Sequence, residues 1–111
     1  MSVVIRLSDE RNRRGRIAFN RYELHRLLSI YSRRVMAGEW RDYAIDMRKD
    51  GATFSVFRHT AEHPLYTIWK TRPGRDGTSE YTLFMGPRRL ARSRSLDETL
   101  RVLDRRLRIV S

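Results

Sequence analysis

The stretch from Gly38 to Phe57 constrains this chain more than any other part of it. Gly38 stands where a helix must stop, because glycine takes the left-handed backbone that ends many helices at little cost. The run Glu39-Trp40-Arg41-Asp42-Tyr43-Ala44-Ile45-Asp46 then opens a strand, and Asp50-Gly51 is the dipeptide favoured in a two-residue type I′ turn. Pairing outward from a turn centred on Asp50-Gly51 sets Lys49 opposite Ala52, Met47 opposite Phe54, Ile45 opposite Val56 and Tyr43 opposite Arg58. The apolar pairs share one face, while Arg48 with Thr53, Asp46 with Ser55 and Ala44 with Phe57 share the other. A helix that passes directly into a β-hairpin predicts an α+β fold.

The helix that ends at Gly38 has a clear start. Asn20 is a good N-cap, Glu23 lies in capping-box position, and Phe19 with Leu24 forms a hydrophobic staple. Leu24, Leu27, Leu28, Tyr31 and Val35 recur at helical spacing as one apolar stripe, with Tyr22, Arg26, Ser29 and Arg33 on the opposite side. Beyond the hairpin, Leu65 to Lys70 and Tyr81 to Met85 read as a third and a fourth strand, joined by an exposed connection from Thr71 to Ser79. After Gly86-Pro87, Arg88 to Ser93 reads as a short basic edge strand, whose charges also deter unwanted strand addition. A last helix begins at a second capping box, Ser95 with Glu98, and Asp97 complements its dipole. Leu96, Leu100, Leu103 and Leu107 form its buried stripe, and Arg101, Arg105 and Arg108 its solvent-facing one.

The expected architecture is helix, four- or five-stranded antiparallel meander and C-terminal helix, with both helices packed on one face of the sheet. Residues 19–111 make a single domain, preceded by a flexible basic arm over residues 1–18 in which Val3 to Leu7 is either an added strand or irregular chain. One tension remains. Strands three and four carry large apolar side chains at both parities, so the second sheet face is either partly covered or an exposed apolar surface. Phe57, Trp69 and Phe84 are its candidate interface or base-stacking residues.

Charge narrows the function classes. The chain carries 24 basic against 13 acidic residues, a net +11, and only Lys49 and Lys70 among the basic residues are not arginine. Arginine's planar fork pairs with phosphate in bidentate fashion and stacks on bases. The excess lies at the two ends, over residues 1–21 and 86–111, around a near-neutral middle. That is the pattern of a basic footprint on an ordinary body. No apolar run approaches the roughly 20 residues that cross a membrane, and Val3-Val4-Ile5 is too short for the apolar region of a signal peptide. With no cysteine there is no disulfide framework, thiol nucleophile or zinc–thiolate site. A cytoplasmic location is expected.

From Phe19 to about Asp104 the chain resembles a family of small alphaproteobacterial proteins classed as a domain of unknown function. The resemblance rests on Phe19-Asn20-Arg21-Tyr22-Glu23-Leu24, on Gly38 to Asp46, and on Phe54-Ser55-Val56-Phe57-Arg58. Glu62, Pro64-Leu65-Tyr66 and Val102-Leu103-Asp104 match as well. The chain departs from the family pattern at Arg72 to Ser79 and at Pro87 to Ser95. The resemblance implies no activity.

His59-Thr60-Ala61-Glu62-His63 fits the H-x-x-E-H string of inverted zinc proteases, but that chemistry needs a helix, and here the string lies between strands with Pro64 directly after it. It reads as a polar loop, and neither metal nor cofactor is expected. Glu39, Arg41, Asp42, Arg58 and Glu62 around Trp40 read as an ion-pair network that clamps the helix–strand junction, in preference to a carboxylate pocket. No catalytic constellation is present, so the chain is read as a non-enzyme. The leading reading is sequence-independent RNA or DNA binding, or residence on a ribonucleoprotein. Its candidate residues are Arg13, Arg14 and Arg16 on the arm, Arg88, Arg89, Arg92 and Arg94 before the last helix, and Arg101, Arg105 and Arg108 on it. The competing reading is a protein-interaction module, in which the apolar second face forms a homodimer or docks a partner while the Arg ends meet an acidic protein surface.

Overall fold

The computed structural model describes residues 15–59 and 63–110. Its elements run α1 (Arg21–Met36), β1 (Asp42–Met47), β2 (Gly51–Phe57), β3 (Tyr66–Thr71), β4 (Tyr81–Met85), β5 (Arg88–Ser93) and α2 (Leu96–Val110). The five strands form one antiparallel, open sheet in the order β1-β2-β3-β4-β5. Both helices cover the same face. The basic edge strand expected at residues 88–93 is β5, with a register shift against Leu83 and Phe84.

Local chemistry explains the boundaries. Asn20 Oδ1 accepts the Glu23 N–H at 2.8 Å while Glu23 Oε1 accepts the Asn20 N–H at 2.7 Å, so the first capping box is complete. Gly38 has φ +76°, the left-handed stop the sequence asks for. The second capping box is only half formed. Ser95 Oγ accepts the Glu98 N–H at 3.3 Å, but the Glu98 carboxylate accepts a hydrogen bond from the Ser93 hydroxyl, and Ser93 Oγ accepts the Ser95 N–H.

The hairpin corrects the expected register. β1 pairs Met47 with Ala52, Ile45 with Phe54 and Tyr43 with Val56, and the Arg48 N–H donates to Gly51 O at 2.9 Å. The two-residue turn is therefore Lys49-Asp50, one residue earlier than the Asp-Gly signal suggests. Moving the turn by one residue moves the register by two, so every side chain keeps its face. Gly51 is needed for a different reason: a Cβ there would lie 2.5 Å from Lys70 O and 2.8 Å from the Trp69 ring.

The core lies between the helices and the inner sheet face: Leu27 and Ile30 from α1, Leu96, Leu100, Leu103 and Leu107 from α2, and Ala52, Phe54, Val56, Tyr66, Ile68, Tyr81 and Leu83 from the sheet. The stripe expected on α1 is turned. Glu23, Leu27 and Ile30 are buried, whereas Leu24, Leu28 and Tyr31 are half-buried and Val35 is exposed. The core takes one side of a wide apolar arc and leaves the other flank half-buried or exposed.

Candidate functional site

Two polar centres lie on the helix side of the sheet. The inner one is buried. Glu23 Oε1 accepts from Lys70 Nζ at 2.7 Å, the Tyr81 hydroxyl bonds Glu23 Oε2, and Lys70 Nζ also donates to Ala18 O at 2.9 Å. Burial pushes the Glu23 carboxyl up, but the bonds from Lys70, Tyr81 and the Asn20 N–H outweigh it and leave the group below its ordinary value. Burial and the bond to Glu23 push the Tyr81 phenol well above its own. A carboxylate so fully bonded is fixed as an anion and has no proton to exchange. The arrangement joins α1 to β3 and β4, which is structural work.

The outer centre is the surface of the helix layer. α1 turns Arg26 and Arg33 toward α2, and α2 answers with Arg101 and Asp104. With Ile30 and Leu100 as floor, these residues line a shallow groove of about 200 Å³. Arg26 Nε bonds Asp97 Oδ1 at 3.0 Å and the Tyr22 hydroxyl bonds Asp97 Oδ2 at 2.7 Å, and the Tyr22 bond, with Arg26 beside it, holds this carboxyl below its ordinary range. Asp104 accepts from Arg108 at 2.6 Å and from Arg34 at 3.5 Å, and the Arg108 bond lowers it likewise. Arg101, Arg105 and Arg108 are exposed on the outer side of α2.

The other arginines divide. Arg88 and Arg89 are exposed at the β4–β5 turn, and the last turns of α2 reach over that turn, with Arg106 donating to Met85 Sδ at 3.1 Å. Arg92 is engaged by Glu80 and Arg94 by Asp76 at 3.6 Å, at the far end of β5. There Arg72, Arg75 and Arg94 share an open depression with Asp76 and Glu80, so charges of both signs meet. Arg16 is exposed at the start of the described chain, and Arg13 and Arg14 lie outside the described residues.

Trp40 is buried at the junction, between Tyr31 and Tyr66 with ring centroids 6.3 and 6.2 Å away. Glu39 pairs with Arg34 at 3.3 Å, which also reaches Asp104, so Arg34 links the end of α1 to α2. Arg41 and Arg58 are exposed, Asp42 is buried, and Glu62 lies outside the described residues, as do residues 60–62 of the H-x-x-E-H string. Among the described residues no group of three His, Cys, Asp or Glu side chains is placed to hold a metal ion. Phe57, Trp69 and Phe84 are half-buried on the sheet face away from the helices, where Trp69 sits between Thr53 and Thr82 and Phe84 beside Thr67. No described helix is long and apolar enough to cross a membrane.

Arg26 and Arg33 were missed as site residues, although both stand on the polar side of α1 seven residues apart. What hid them was the partner surface, which only the packing of α2 reveals.

Fold and surface together define a small α+β protein with a helix-covered, open antiparallel meander and a basic outer layer. Over residues 17–100 the chain matches the family described as protein of unknown function DUF2794, and it belongs to that family. No curated protein and no solved structure matches it.

Proposed function

We propose that this chain is a non-enzymatic module that binds the sugar–phosphate backbone of RNA or DNA without reading sequence. The observation that carries this reading is that Arg88, Arg89, Arg101 and Arg105 are exposed and, among the described residues, none forms an ion pair with a carboxylate. Arg26, Arg33 and Arg108 add positive charge to the helix layer. Free guanidinium forks on a chain of net +11 are matched to phosphate, and displacement of condensed counterions supplies the affinity. Arg92 and Arg94, neutralised by Glu80 and Asp76, contribute less. Residence in the cytoplasm fits such a partner.

A second reading, a protein-interaction module, is favoured by Phe57, Trp69 and Phe84, which no helix covers. One titration series separates the two. Labelled RNA and duplex DNA bind the chain, and the affinity falls steeply between low and moderate salt. The triple variant Arg101→Ala/Arg105→Ala/Arg108→Ala flattens the log–log salt slope by about 2 to 3 for duplex DNA. Absence of binding at low salt, despite the net charge, overturns the nucleic-acid reading and leaves the interaction module.

A further inference from the structure

The two edges of the sheet are built differently. β5 carries Arg88, Arg89 and Arg92 and a register shift, the devices that stop a second chain from adding to an edge. β1 has no Lys, Arg or Pro between Asp42 and Met47, its charges there are Asp42 and Asp46, and its pairing with β2 is regular. Because Arg48 donates to Gly51 O, strand alternation turns the N–H and C=O groups of Asp46, Ala44 and Asp42 toward β2. Those of Tyr43, Ile45 and Met47 therefore point outward, and among the described residues no strand meets them. The same three side chains are half-buried on the helix side of the sheet. Above them, with Tyr31 against the Tyr43 ring, lies the flank of α1 that the core leaves uncovered: half-buried Leu24, Leu28 and Tyr31, then Val35 at 38% exposure.

We infer that β1 is a self-association edge at which a second copy of this chain adds antiparallel, making one ten-stranded sheet. The two carboxylates of β1 select the register in which a second copy adds. Keeping apolar side chains on the helix side puts the two-fold axis through a residue, and the registers centred on the strand place it at residue 44, 45 or 46. An axis at Ala44 sets Asp42 against Asp46 of the second copy, and an axis at Asp46 sets that carboxylate against its own mate. An axis at Ile45 sets Asp42 against Arg48 of the second copy, Asp46 against Ala44, Tyr43 against Met47 and Ile45 against itself. Of these three registers only this one is free of facing carboxylates, and it adds about six backbone hydrogen bonds. It also brings the uncovered flanks of the two α1 helices together across the axis. An axis perpendicular to the sheet keeps both helix layers on one side, so the arginine surfaces of the two copies lie side by side.

The chain has no cysteine, which makes the register directly testable. Facing residues in a hydrogen-bonded pair stand about 5.5 Å apart at Cα, within reach of a disulfide. Sedimentation of the wild-type chain from low to high micromolar concentration gives a reversible monomer–dimer equilibrium. Under mild oxidation Ile45→Cys becomes a covalent dimer, while Met47→Cys, whose opposite number is Tyr43, does not. Ile45→Pro removes only an outward N–H, which an edge strand tolerates, and weakens association about ten-fold or more. A chain monomeric throughout overturns the inference. So does a dimer that cross-links equally through Met47→Cys, or one that survives Ile45→Pro but is lost on Trp69→Ala. None of these results bears on nucleic-acid binding, which the salt titration reads separately.

Discussion

Glu23 and Arg105 are both ionised, but they belong to two different kinds of surface. Glu23 is 4% exposed and every contact it makes is directional: one carboxylate holds the Asn20 N–H, the Lys70 ammonium and the Tyr81 hydroxyl. Arg105 stands in solvent beside other arginines, and its neighbours could take its place. A buried charge is specific because water cannot substitute for a lost partner, so its removal leaves the other charge stranded. A charge in the outer layer acts through the summed field, where each member adds a similar increment. The interior pair belongs to the fold, and the outer layer presents its charge to solvent.

The largest effect that tests this contrast is Glu23→Ala. It strands Lys70 Nζ beneath α1 and removes half of the capping box, and urea unfolding reads a loss of about 3 kcal/mol or more. A loss under 1 kcal/mol would mean that water reaches Lys70 and that the interior is not distinct. The dependence on pH is smaller. Glu23 is held below its ordinary value of 4.5, so its contribution is complete above that pH and disappears as the pH falls through the lowered folded value. Tyr81 is raised above 10.0, so its contribution is complete below pH 10.0 and is lost as the pH climbs toward the raised value. Melting temperature against pH is then a plateau with two falling limbs, and Glu23→Gln shortens the acid limb. An acid limb unchanged in Glu23→Gln would assign it to other carboxylates. The smallest effect is that of the arginine triple on stability. Only Arg108 has an ion-pair partner, Asp104, at i,i+4 spacing, so the change stays within about 0.5 kcal/mol. A larger fall would mean that the outer layer helps to hold the fold.

The elements were legible because their signals are local. Asn20 with Glu23, Gly38, and the alternation through the hairpin each act within a few residues, and the order of helix, meander and helix follows. What could not be read was set by packing. Asp50-Gly51 looks like a turn, yet Gly51 is small because Trp69 and the Lys70 carbonyl lie against it, so the turn sits one residue earlier. α1 offers a wide apolar arc, and only the sheet decides that Ile30 rather than Val35 goes inside. For the site, the exposed stripe of α2 followed from periodicity. The facing of Arg26 and Arg33 depends on α2, and the neutralisation of Arg92 and Arg94 on Glu80 and Asp76 beyond the reach of a local pattern.

Lys70 has one further consequence. Its bond to Glu23 joins residues 47 apart and that of Tyr81 joins residues 58 apart, so neither forms until the meander is assembled. Strand side chains alternate between faces, so a slip of β3 by one residue would present Trp69 or Thr71 to Glu23 in place of the ammonium. The carboxylate would then be buried with no cation, and that pairing would dissolve. The ion pair thus discriminates against strand pairings that hydrophobic burial alone, with large apolar residues at both parities of β3, would accept.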